Sequence, residues 1–419
     1  MKSIKEIVVI KEKRIALRNI GNYNPGSIDE YLKLGGYKNV ERALKINPDE
    51  IIETIIKSNL RGRGGAGFPT GLKLKFTTQA FGDQKYVICN ADEGEPGTFK
   101  DRIIMEMDPH LLIEGMIISA YSIGASKAFI YIRGEYTESI DSMKFALNQA
   151  SEKGFVGDNI FNSGFSLDIE IKLGAGSYLC GEELALLESL EGKRGYPRIK
   201  PPFPAEKGLL GMPTLINNVE TFAHIPYIIE KGADHYKSLG TEKSSGTKIF
   251  TISGDVKRPG YYETEMGVTL RQLIYEFAGG IKDNKKFYAA ILGGAAGTFV
   301  DESVLDTSMG YETLKDKGAV LGSGAIMVMS EGRSVFDMTH SILKFFMHES
   351  CGKCVPCRIG TVQLLQIMDE AKNNNKDKKE ILNKLLNESE YMAATSLCPL
   401  GQSPILPIKS IKQFFENQF

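Results

Sequence analysis

The cysteines of this 419-residue chain are concentrated near its end, where four of the six fall within the last 70 residues. Cys351, Cys354 and Cys357 are each separated by two residues, and Cys398 is the obvious fourth thiol. Clustered thiols in a cytosolic chain indicate a metal site rather than disulfides. Zinc sites with four cysteines usually come as two separate pairs. Three cysteines with one remote partner therefore favour a [4Fe-4S] cluster, with zinc as the alternative.

A glycine-rich segment at residues 62–73 is the second candidate for chemistry. Its Gly62, Gly64 and Gly67 match the dinucleotide fingerprint as a string, but that fingerprint needs a strand before it and a helix after it. Here the pattern predicts a helix before the segment, and Phe68-Pro69 follows the glycines. An ordinary Rossmann turn and a ligand-free turn are alternatives. The crowded glycines with nearby basic residues favour a different loop that presses an anionic ligand against the backbone.

Acidic side chains follow two apolar runs that predict buried strands. Residues 90–97 follow the first run, and residues 174–183 follow the second with a glycine-rich turn and paired glutamates. In an open parallel sheet, ligands bind beyond the carboxyl ends of the strands. Acids at a helix N-terminus would be the plainer explanation for either segment alone. Two such segments on one sheet predict a ligand site.

The elements that must position these residues alternate between strand and helix. Apolar runs predict strands over 86–89, 128–132 and 167–173, and helical periodicity predicts helices over 47–60, 109–122 and 138–153. This alternation predicts a parallel sheet with helices on both faces. Cys89 and Cys180 stand alone and are expected to be buried apolar residues. The five histidines have no spaced partners and are expected to be structural.

The pattern changes after about residue 243. Runs at 248–253 and 260–264 predict a hairpin, followed by a helix over 269–278 and short strands to about 329. These elements predict a small α+β module. From residue 334 the pattern is helical, and the polar run 372–379 is expected to be a solvated connection between helices.

Charge and hydropathy exclude several classes of protein. The 51 basic and 52 acidic residues nearly cancel, which argues against nucleic acid or an anionic membrane as the main partner. No run approaches the ~18 apolar residues of a spanning helix. The first 14 residues lack the apolar core of about 7 residues that a secretory signal needs. We therefore expect a cytoplasmic protein, or a part of a larger assembly without direct membrane insertion.

Six motifs together resemble one family, the flavoprotein 1 subunit, which is the NADH-binding (F-type) subunit of respiratory complex I. Relatives of that subunit occur in NAD-linked hydrogenases and formate dehydrogenases. The motifs are GRGGAGFPTGLK (62–73), NADEGEPG (90–97), GSYLCGEE (176–183), PPFP (201–204), NNVET (217–221) and ESCGKCVPCR (349–358). The family usually has Thr after the paired glutamates, where this chain has Leu184.

The resemblance implies a fold of three parts. An α/β Rossmann-like FMN-binding domain is expected over 46–243, after an N-terminal segment 1–45. A small α+β β-grasp (ubiquitin-like) module is expected over 244–330. A C-terminal helical bundle carrying the iron–sulfur cluster is expected over 331–419.

The resemblance also implies roles for individual residues. Residues expected to line FMN are Gly62, Arg63, Gly64, Gly65, Gly67, Lys73, Asn90, Asp92, Glu93, Tyr178, Gly181, Glu182, Asn217 and Asn218. Residues expected to contact NADH are Phe68, Phe76 and Phe203, stacked on the adenine, and Glu95 and Glu183 at the ribose hydroxyls, with Lys200 close by. The cluster ligands would be Cys351, Cys354, Cys357 and Cys398.

The implied activity is that of an NADH:acceptor oxidoreductase with FMN and a [4Fe-4S] cluster as cofactors and NAD(H) as substrate. Hydride would pass directly to FMN without a catalytic side chain, and single electrons would leave through the cluster. The implied partners are a thioredoxin-like [2Fe-2S] subunit and a further iron–sulfur subunit of a complex I-type assembly at the cytoplasmic membrane. The same chemistry in a soluble hydrogenase, formate dehydrogenase or electron-bifurcating complex is the alternative. A non-catalytic, zinc-stapled scaffold is the remote alternative.

The two ribose-facing acids lead to a prediction of nucleotide specificity. A carboxylate near a ribose hydroxyl repels an added 2′-phosphate, and a desolvated pair of like charges is costly. We therefore predict a preference for NADH over NADPH, with Glu95 and Glu183 as its determinants.

Overall fold

The computed structural model describes residues 12–373 and 378–419. Most of the first 14 residues and the middle of the polar run 372–379 lie outside these ranges. The predictions of a missing secretory signal and of a solvated helix connection therefore stay predictions.

A four-stranded parallel sheet forms the centre of the first part of the chain. The three predicted strands are confirmed, and the sequence analysis missed a fourth that pairs with the first of them. In the order β3-β2-β1-β4, all neighbours are parallel. The strands are β1 Tyr86–Ala91, β2 Lys127–Ile132, β3 Asp168–Leu173 and β4 Thr214–Asn218.

Helices surround this sheet, and the three predicted helices are confirmed with small shifts at their ends. They are α1 Ile28–Lys33, α2 Lys38–Ala43, α3 Pro48–Lys57, α4 Thr70–Gln79, α5 Asp101–Met107, α6 Pro109–Ile123, α7 Thr137–Glu152, α8 Glu183–Leu190, α9 Pro204–Lys207, α10 Val219–Lys231 and α11 Ala233–Lys237. Asn47 caps α3, because its side chain accepts from the Asp49 amide at 3.0 Å. A Cβ at Gly115 of α6 would lie 2.1 Å from the Phe222 carbonyl oxygen, so the close crossing of α6 and α10 requires glycine.

A mixed five-stranded sheet follows in the order β6-β5-β9-β7-β8. The predicted hairpin is confirmed as the antiparallel pair β5–β6, while β5 and β9 are parallel. The predicted helix 269–278 is observed as a short α-helix that continues into a π-helical turn over Leu273–Phe277. The elements are β5 Thr247–Gly254, β6 Gly260–Glu265, α12 Leu270–Gln272, β7 Phe287–Leu292, β8 Thr298–Val300, α13 Tyr311–Asp316 and β9 Ala325–Ser330.

The C-terminal part is helical, as predicted. Its helices are α14 Val335–Glu349, α15 Val355–Asn373, α16 Lys378–Thr395, α17 Pro399–Gln402 and α18 Ile405–Phe414. They bury a common apolar core that includes Phe346, Leu364, Leu382 and Ile408. Within the described ranges, no helix is both long enough and apolar enough to cross a membrane.

One buried carboxylate attaches the N-terminal segment to the five-stranded sheet. Glu263 of β6 is fully buried, and its two oxygens accept hydrogen bonds from the amides of Ile15, Ala16 and Leu17 at 2.8–2.9 Å. The Thr247 hydroxyl donates to the same carboxylate. The side chain therefore satisfies three amides that would otherwise be buried without an acceptor.

Replacing Glu263 by alanine is expected to release the segment around residues 15–17. Each buried donor left unpaired costs about 1–3 kcal/mol. The loss of stability should therefore exceed that caused by an ordinary surface substitution. Amide hydrogen exchange should show faster exchange at these residues than in the wild type. Glu276→Ala, at an exposed acid of the same module, is the control, and equal protection in both variants would contradict the prediction.

Candidate functional site

A cavity of about 310 Å³ lies where the carboxyl ends of β1 and β4 meet the glycine-rich segment. This is the edge of the sheet at which the sequence analysis placed a ligand. Nine predicted site residues line it, namely Gly64, Asn90, Asp92, Glu93, Glu95, Tyr178, Gly181, Glu182 and Asn218. Pro399 and Leu400, which directly follow Cys398, line the same cavity. The cavity and the cysteine site are therefore neighbours.

The sequence analysis missed four polar residues of the cavity wall, which are Thr98, Lys100, Asp101 and Ser323. Lys100 and Asp101 come shortly after the acidic segment 90–97. This position in the sequence is the one feature from which they could have been predicted. Ser323 comes from the five-stranded module, and its hydroxyl lies 2.6 Å from the Thr98 hydroxyl, 225 residues away in sequence. No local pattern could have identified it.

A buried charge network underlies one wall of the cavity. The Lys100 ammonium is 1% exposed and lies 2.7 Å from Asp101 Oδ1, 2.9 Å from Glu220 Oε2 and 3.1 Å from Asn218 Oδ1. The Asn218 amide donates to Asp101 Oδ2 at 2.6 Å. Burial by itself would raise the pKa of Glu220, but Lys100 and Lys248 hold it well below its ordinary value. Such a satisfied network fixes its members in one arrangement.

Two buried polar atoms near the strand ends have no partner of their own. Among residues 12–373 and 378–419, no hydrogen-bond partner lies within reach of Asp92 Oδ2 or Asn217 Nδ2. Burial also raises the pKa of Asp92 to about 7. An unsatisfied buried polar group costs about 1–3 kcal/mol. The open acceptor of Asp92, which lines the cavity, is what a bound polar ligand would satisfy.

Paired acids and lysines lie beside the cavity at the start of α8. The Glu182 carboxylate caps the helix by accepting from the amides of Leu184 and Ala185 at 2.9 Å. The Lys200 ammonium lies 2.9 Å from Glu182 and 2.7 Å from Glu183. The Lys73 ammonium lies 3.8 Å from Glu183. Burial opposes ionisation of Glu183, but the two lysines lower its pKa below the ordinary value.

Three aromatic side chains near this cluster are exposed to solvent. Phe68, Phe76 and Phe203 are 43%, 48% and 53% exposed. Phe76 lies on α4, which packs against α9, and Phe203 is the N-cap of α9. Exposed rings beside a charged site can stack on a planar ligand.

The structure corrects the expectation for the side chain of Arg63. Its guanidinium is fully buried and donates to the carbonyls of Arg61, Ser245 and Thr247 at 2.7–3.1 Å and to the Tyr236 hydroxyl at 3.2 Å. These acceptors belong to the protein, so the guanidinium does not line the cavity. Other predicted residues that lie outside the cavity wall are Gly62, Gly65, Gly67, Phe68, Lys73, Phe76, Glu183, Lys200, Phe203 and Asn217.

Two of the four predicted cysteine ligands, Cys357 and Cys398, lie on helices that pack closely together. Cys357 lies in the first turn of α15, and Cys398 is the N-cap of α17. A Cβ at Gly401 would lie 2.9 Å from Cys357 Cβ, so this glycine allows α17 to approach α15. Burial raises the pKa of the Cys357 and Cys398 thiols to about 11. Within the described part of the chain, no three His, Cys, Asp or Glu side chains are placed to hold a single metal ion.

Comparison with known proteins identifies the family. The chain matches the Nuo51 FMN-binding domain over residues 55–227, the SLBB domain over 249–295 and the NADH-ubiquinone oxidoreductase-F iron-sulfur binding region over 337–419. It is 49% identical to the F-type subunit of NADH-quinone oxidoreductase from Aquifex aeolicus, over 90% of this chain and 86% of the relative. The chain belongs to the NADH-quinone oxidoreductase-F family.

Two further relatives in this family are hydrogenase components. The chain is 45% identical to the NADP-reducing hydrogenase subunit HndC of Solidesulfovibrio fructosivorans, over 98% of this chain and 83% of the relative. It resembles a chain of the NAD+-reducing [NiFe]-hydrogenase in the H2-reduced state with a TM-score of 0.83 and 35% identity. That match covers 97% of this chain and 66% of the hydrogenase chain.

The family assignment confirms the predicted class of enzyme, an FMN- and iron–sulfur-dependent NADH oxidoreductase, and its cofactors, FMN and a [4Fe-4S] cluster. It also sets aside the zinc-stapled scaffold. The residues present fit a flavin, since Asp92 on the cavity wall offers an open acceptor. The donor set fits a cluster in its chemistry, because Cys351, Cys354 and Cys357 share one short segment and Cys357 packs near α17, whose N-cap is Cys398. Leu184, where the family usually has Thr, does not disturb the capped start of α8.

Proposed function

We propose that this chain is the NADH-oxidising subunit of a complex I-type assembly. When bound, FMN accepts hydride from NADH and releases the electrons singly towards the [4Fe-4S] cluster. The observation that carries the proposal is the shared cavity wall, in which Pro399 and Leu400 after Cys398 face the same space as Asp92 and Glu93. Electrons would therefore have a short path from the flavin site to the cysteine site.

In this proposal the chain's own residues position the cofactor and the nucleotide. Asp92, Asn217 and the glycine backbone at Gly64 would hold FMN, supported by the buried network around Lys100. Phe68, Phe76 and Phe203 would stack on the adenine, since they are exposed beside the site. Glu95 and Glu183 would face the ribose hydroxyls, with Lys200 between Glu183 and Glu182. The four cysteines 351, 354, 357 and 398 would hold the cluster.

The main apolar clusters of the chain support its proposed division. One is centred on the parallel sheet and also includes N-terminal residues from Ile15 onward, one lies within the five-stranded sheet, and one joins the C-terminal helices to Phe299 and Met329 of that sheet. This supports a Rossmann-like FMN domain over 46–243, a β-grasp module over 244–330 and a helical cluster domain over 331–419. The mixed order β6-β5-β9-β7-β8, with a parallel β5–β9 pair, supports the β-grasp assignment.

The proposed partners are a thioredoxin-like [2Fe-2S] subunit and a further iron–sulfur subunit, in an assembly that is cytoplasmic or peripheral at the cytoplasmic membrane. The second candidate is the same chemistry in a soluble hydrogenase. It is favoured by the likeness to the HndC subunit and to the NAD+-reducing hydrogenase chain. Mass spectrometry of subunits that co-purify under mild conditions would separate the two, because quinone-reductase subunits and hydrogenase subunits differ in sequence.

An anaerobic NADH titration of the purified protein tests the proposed function. Bleaching of the flavin absorbance and a low-temperature EPR signal from a reduced [4Fe-4S] cluster are expected with NADH, and neither is expected with NADPH at the same concentration. A colourless protein with stoichiometric zinc would contradict the proposal. Flavin bleaching without an EPR signal would support NADH oxidation by the chain and contradict electron transfer from the flavin to the cluster.

A further inference from the structure

The segment that carries two proposed NADH contacts has no regular structure of its own. Residues 194–203, here called the nucleotide segment, contain neither helix nor strand and include Lys200 and Phe203. An irregular segment is ordered only as far as other parts of the chain hold it. Its order matters for binding, because a ligand that must first immobilise its site loses part of its affinity.

Two of the connections that hold the nucleotide segment come from the start and end of α8. Arg198 contacts Glu188 at 2.5 Å and Glu191 at 2.7 Å, and it donates to the Gly208 carbonyl at 3.0 Å. Lys200 contacts Glu182 and Glu183, as described above. These connections are internal to the FMN domain.

A third connection comes from the loop that carries the cysteines. Lys353 lies between Cys351 and Cys354, and its ammonium donates to the Pro197 carbonyl at 2.8 Å. The same ammonium lies 5.7 Å from the centre of the Tyr196 ring, a favourable cation–π distance. Lys353 thus contacts the middle of the nucleotide segment, three residues before Lys200.

A second contact of the cysteine region reaches the flavin side of the site. Glu349, two residues before Cys351, accepts a hydrogen bond from the Tyr178 amide at 3.1 Å. The Tyr178 ring also packs against Phe345 of α14, with 5.0 Å between ring centres. The region around the cysteines is therefore connected to both the flavin wall and the nucleotide segment.

We infer that Lys353 is a positioning residue for the nicotinamide nucleotide, acting by fixing the Tyr196-Pro197 part of the nucleotide segment. This rests on the proposed function, because the segment matters only if NADH binds there. Lys353 touches neither the flavin wall nor the thiols through the contacts described. Its removal should weaken nucleotide binding while leaving FMN and the cluster in place. An interaction that contributes equally to ground state and transition state changes KM and not kcat.

The test compares Lys353→Met with the wild type as the FMN- and cluster-loaded protein. The dissociation constant of NAD+ is measured by isothermal titration calorimetry on the oxidised protein, and KM and kcat for NADH with ferricyanide as acceptor. A rise of about fivefold in both the dissociation constant and KM, equivalent to about 1 kcal/mol, is expected at unchanged kcat. Lys353→Arg, which keeps a cationic donor, should restore values near the wild type. Lys344→Met, at an exposed lysine of α14, should have no effect.

Two outcomes in the variant would overturn the inference alone. Unchanged NAD+ affinity in Lys353→Met would show that the other connections suffice to order the segment. A changed cluster EPR spectrum or a lower FMN content would show that the lysine acts on the cofactors instead. A wild type that is not reduced by NADH would overturn the proposed function and this inference with it, and that result is read from the wild-type titration alone.

Discussion

Replacing Cys398 by serine is expected to abolish the [4Fe-4S] cluster and to leave reduction of FMN by NADH intact. Cys398 is almost fully buried at the start of α17, which packs close to Cys357 of α15, and is the fourth thiol after Cys351, Cys354 and Cys357. Serine preserves the size of the side chain but does not supply the thiolate by which these clusters are held. Iron and acid-labile sulfide should fall to background, and the low-temperature EPR signal of the reduced cluster should disappear.

The control for this substitution is Cys89→Ala, which removes a fully buried thiol of β1. Cys89 belongs to the apolar core around the parallel sheet, so its loss should lower stability modestly and leave the cluster complete. A full complement of iron in Cys398→Ser would show that the fourth ligand lies elsewhere. Loss of flavin reduction in the same variant would show that the cavity wall at Pro399 and Leu400 depends on the cluster ligand.

The elements that the sequence predicted are those with a strong local pattern. The runs that became β1 and β2 are mostly apolar, the run that became β3 alternates charged and apolar residues, and α3 carries its cap in the order Asn47-Pro48. The strand β4 was missed because it has five residues and ends in Asn217 and Asn218, which are poor strand formers. It exists because its backbone completes the parallel ladder with β1, and this pairing is not local.

Prediction of the site was limited in the same way, to features with a local pattern. The glycines and acids of the cavity were predicted because they follow strand ends, which is a local property. The contribution of the five-stranded module was not predicted. The Tyr311 hydroxyl donates to the Gly62 carbonyl across 249 residues, and the Ala296 amide donates to Glu95 across 201 residues. Contacts of this separation depend on how two modules pack, which no local pattern contains.

Arg63 illustrates a different reason for failure. A basic residue among glycines indicates an anionic partner. An arginine side chain requires only that its five N–H donors find acceptors, and these acceptors need not belong to a ligand. In this fold the Arg63 guanidinium is fully buried, and the carbonyls at Ser245 and Thr247 accept its hydrogen bonds. The histidines were expected to be structural, and His110 is an example. His110 is buried between Tyr37 and Gln149, and burial lowers its pKa to about 4, as expected of a structural residue.

Replacing Glu183 by glutamine is expected to raise kcat/KM for NADPH relative to NADH by roughly 10–100-fold. In the wild type the Glu183 carboxylate is ionised and paired with Lys200 at 2.7 Å and Lys73 at 3.8 Å. Glutamine removes the charge that repels a 2′-phosphate, leaves the Lys73 ammonium without its carboxylate partner and leaves Lys200 paired with Glu182 alone. Two unit charges about 4 Å apart in a partly buried site interact by about 4 kcal/mol before screening by salt. This energy is larger than the predicted change in the ratio of specificity constants requires.

The measurement is the ratio of the two specificity constants, determined for wild type, Glu183→Gln and Glu206→Gln. Glu206 is an exposed acid on the neighbouring helix α9, so it controls for a general loss of negative charge. Because the pKa of Glu183 is held below its ordinary value, its charge does not change between about pH 6 and 8. The 2′-phosphate gains negative charge above its own pKa of about 6, so the wild-type preference for NADH should hold or strengthen from about pH 6 to 8. A preference that collapses within this range would point to a different titrating group.

Glu95 should contribute to the same preference in a different way. Its carboxylate is held by the Tyr178 hydroxyl at 2.5 Å and by the Ala296 amide at 2.9 Å, without a lysine among these contacts. Glu95→Gln keeps an acceptor but loses the charge, so it should raise NADPH use less than Glu183→Gln, which also releases Lys73 from its carboxylate partner. Equal turnover of NADH and NADPH by the wild type would contradict both assignments. It would mean that Lys73 and Lys200 already cancel the charge of Glu182 and Glu183, since two ammonium groups facing two carboxylates sum to zero.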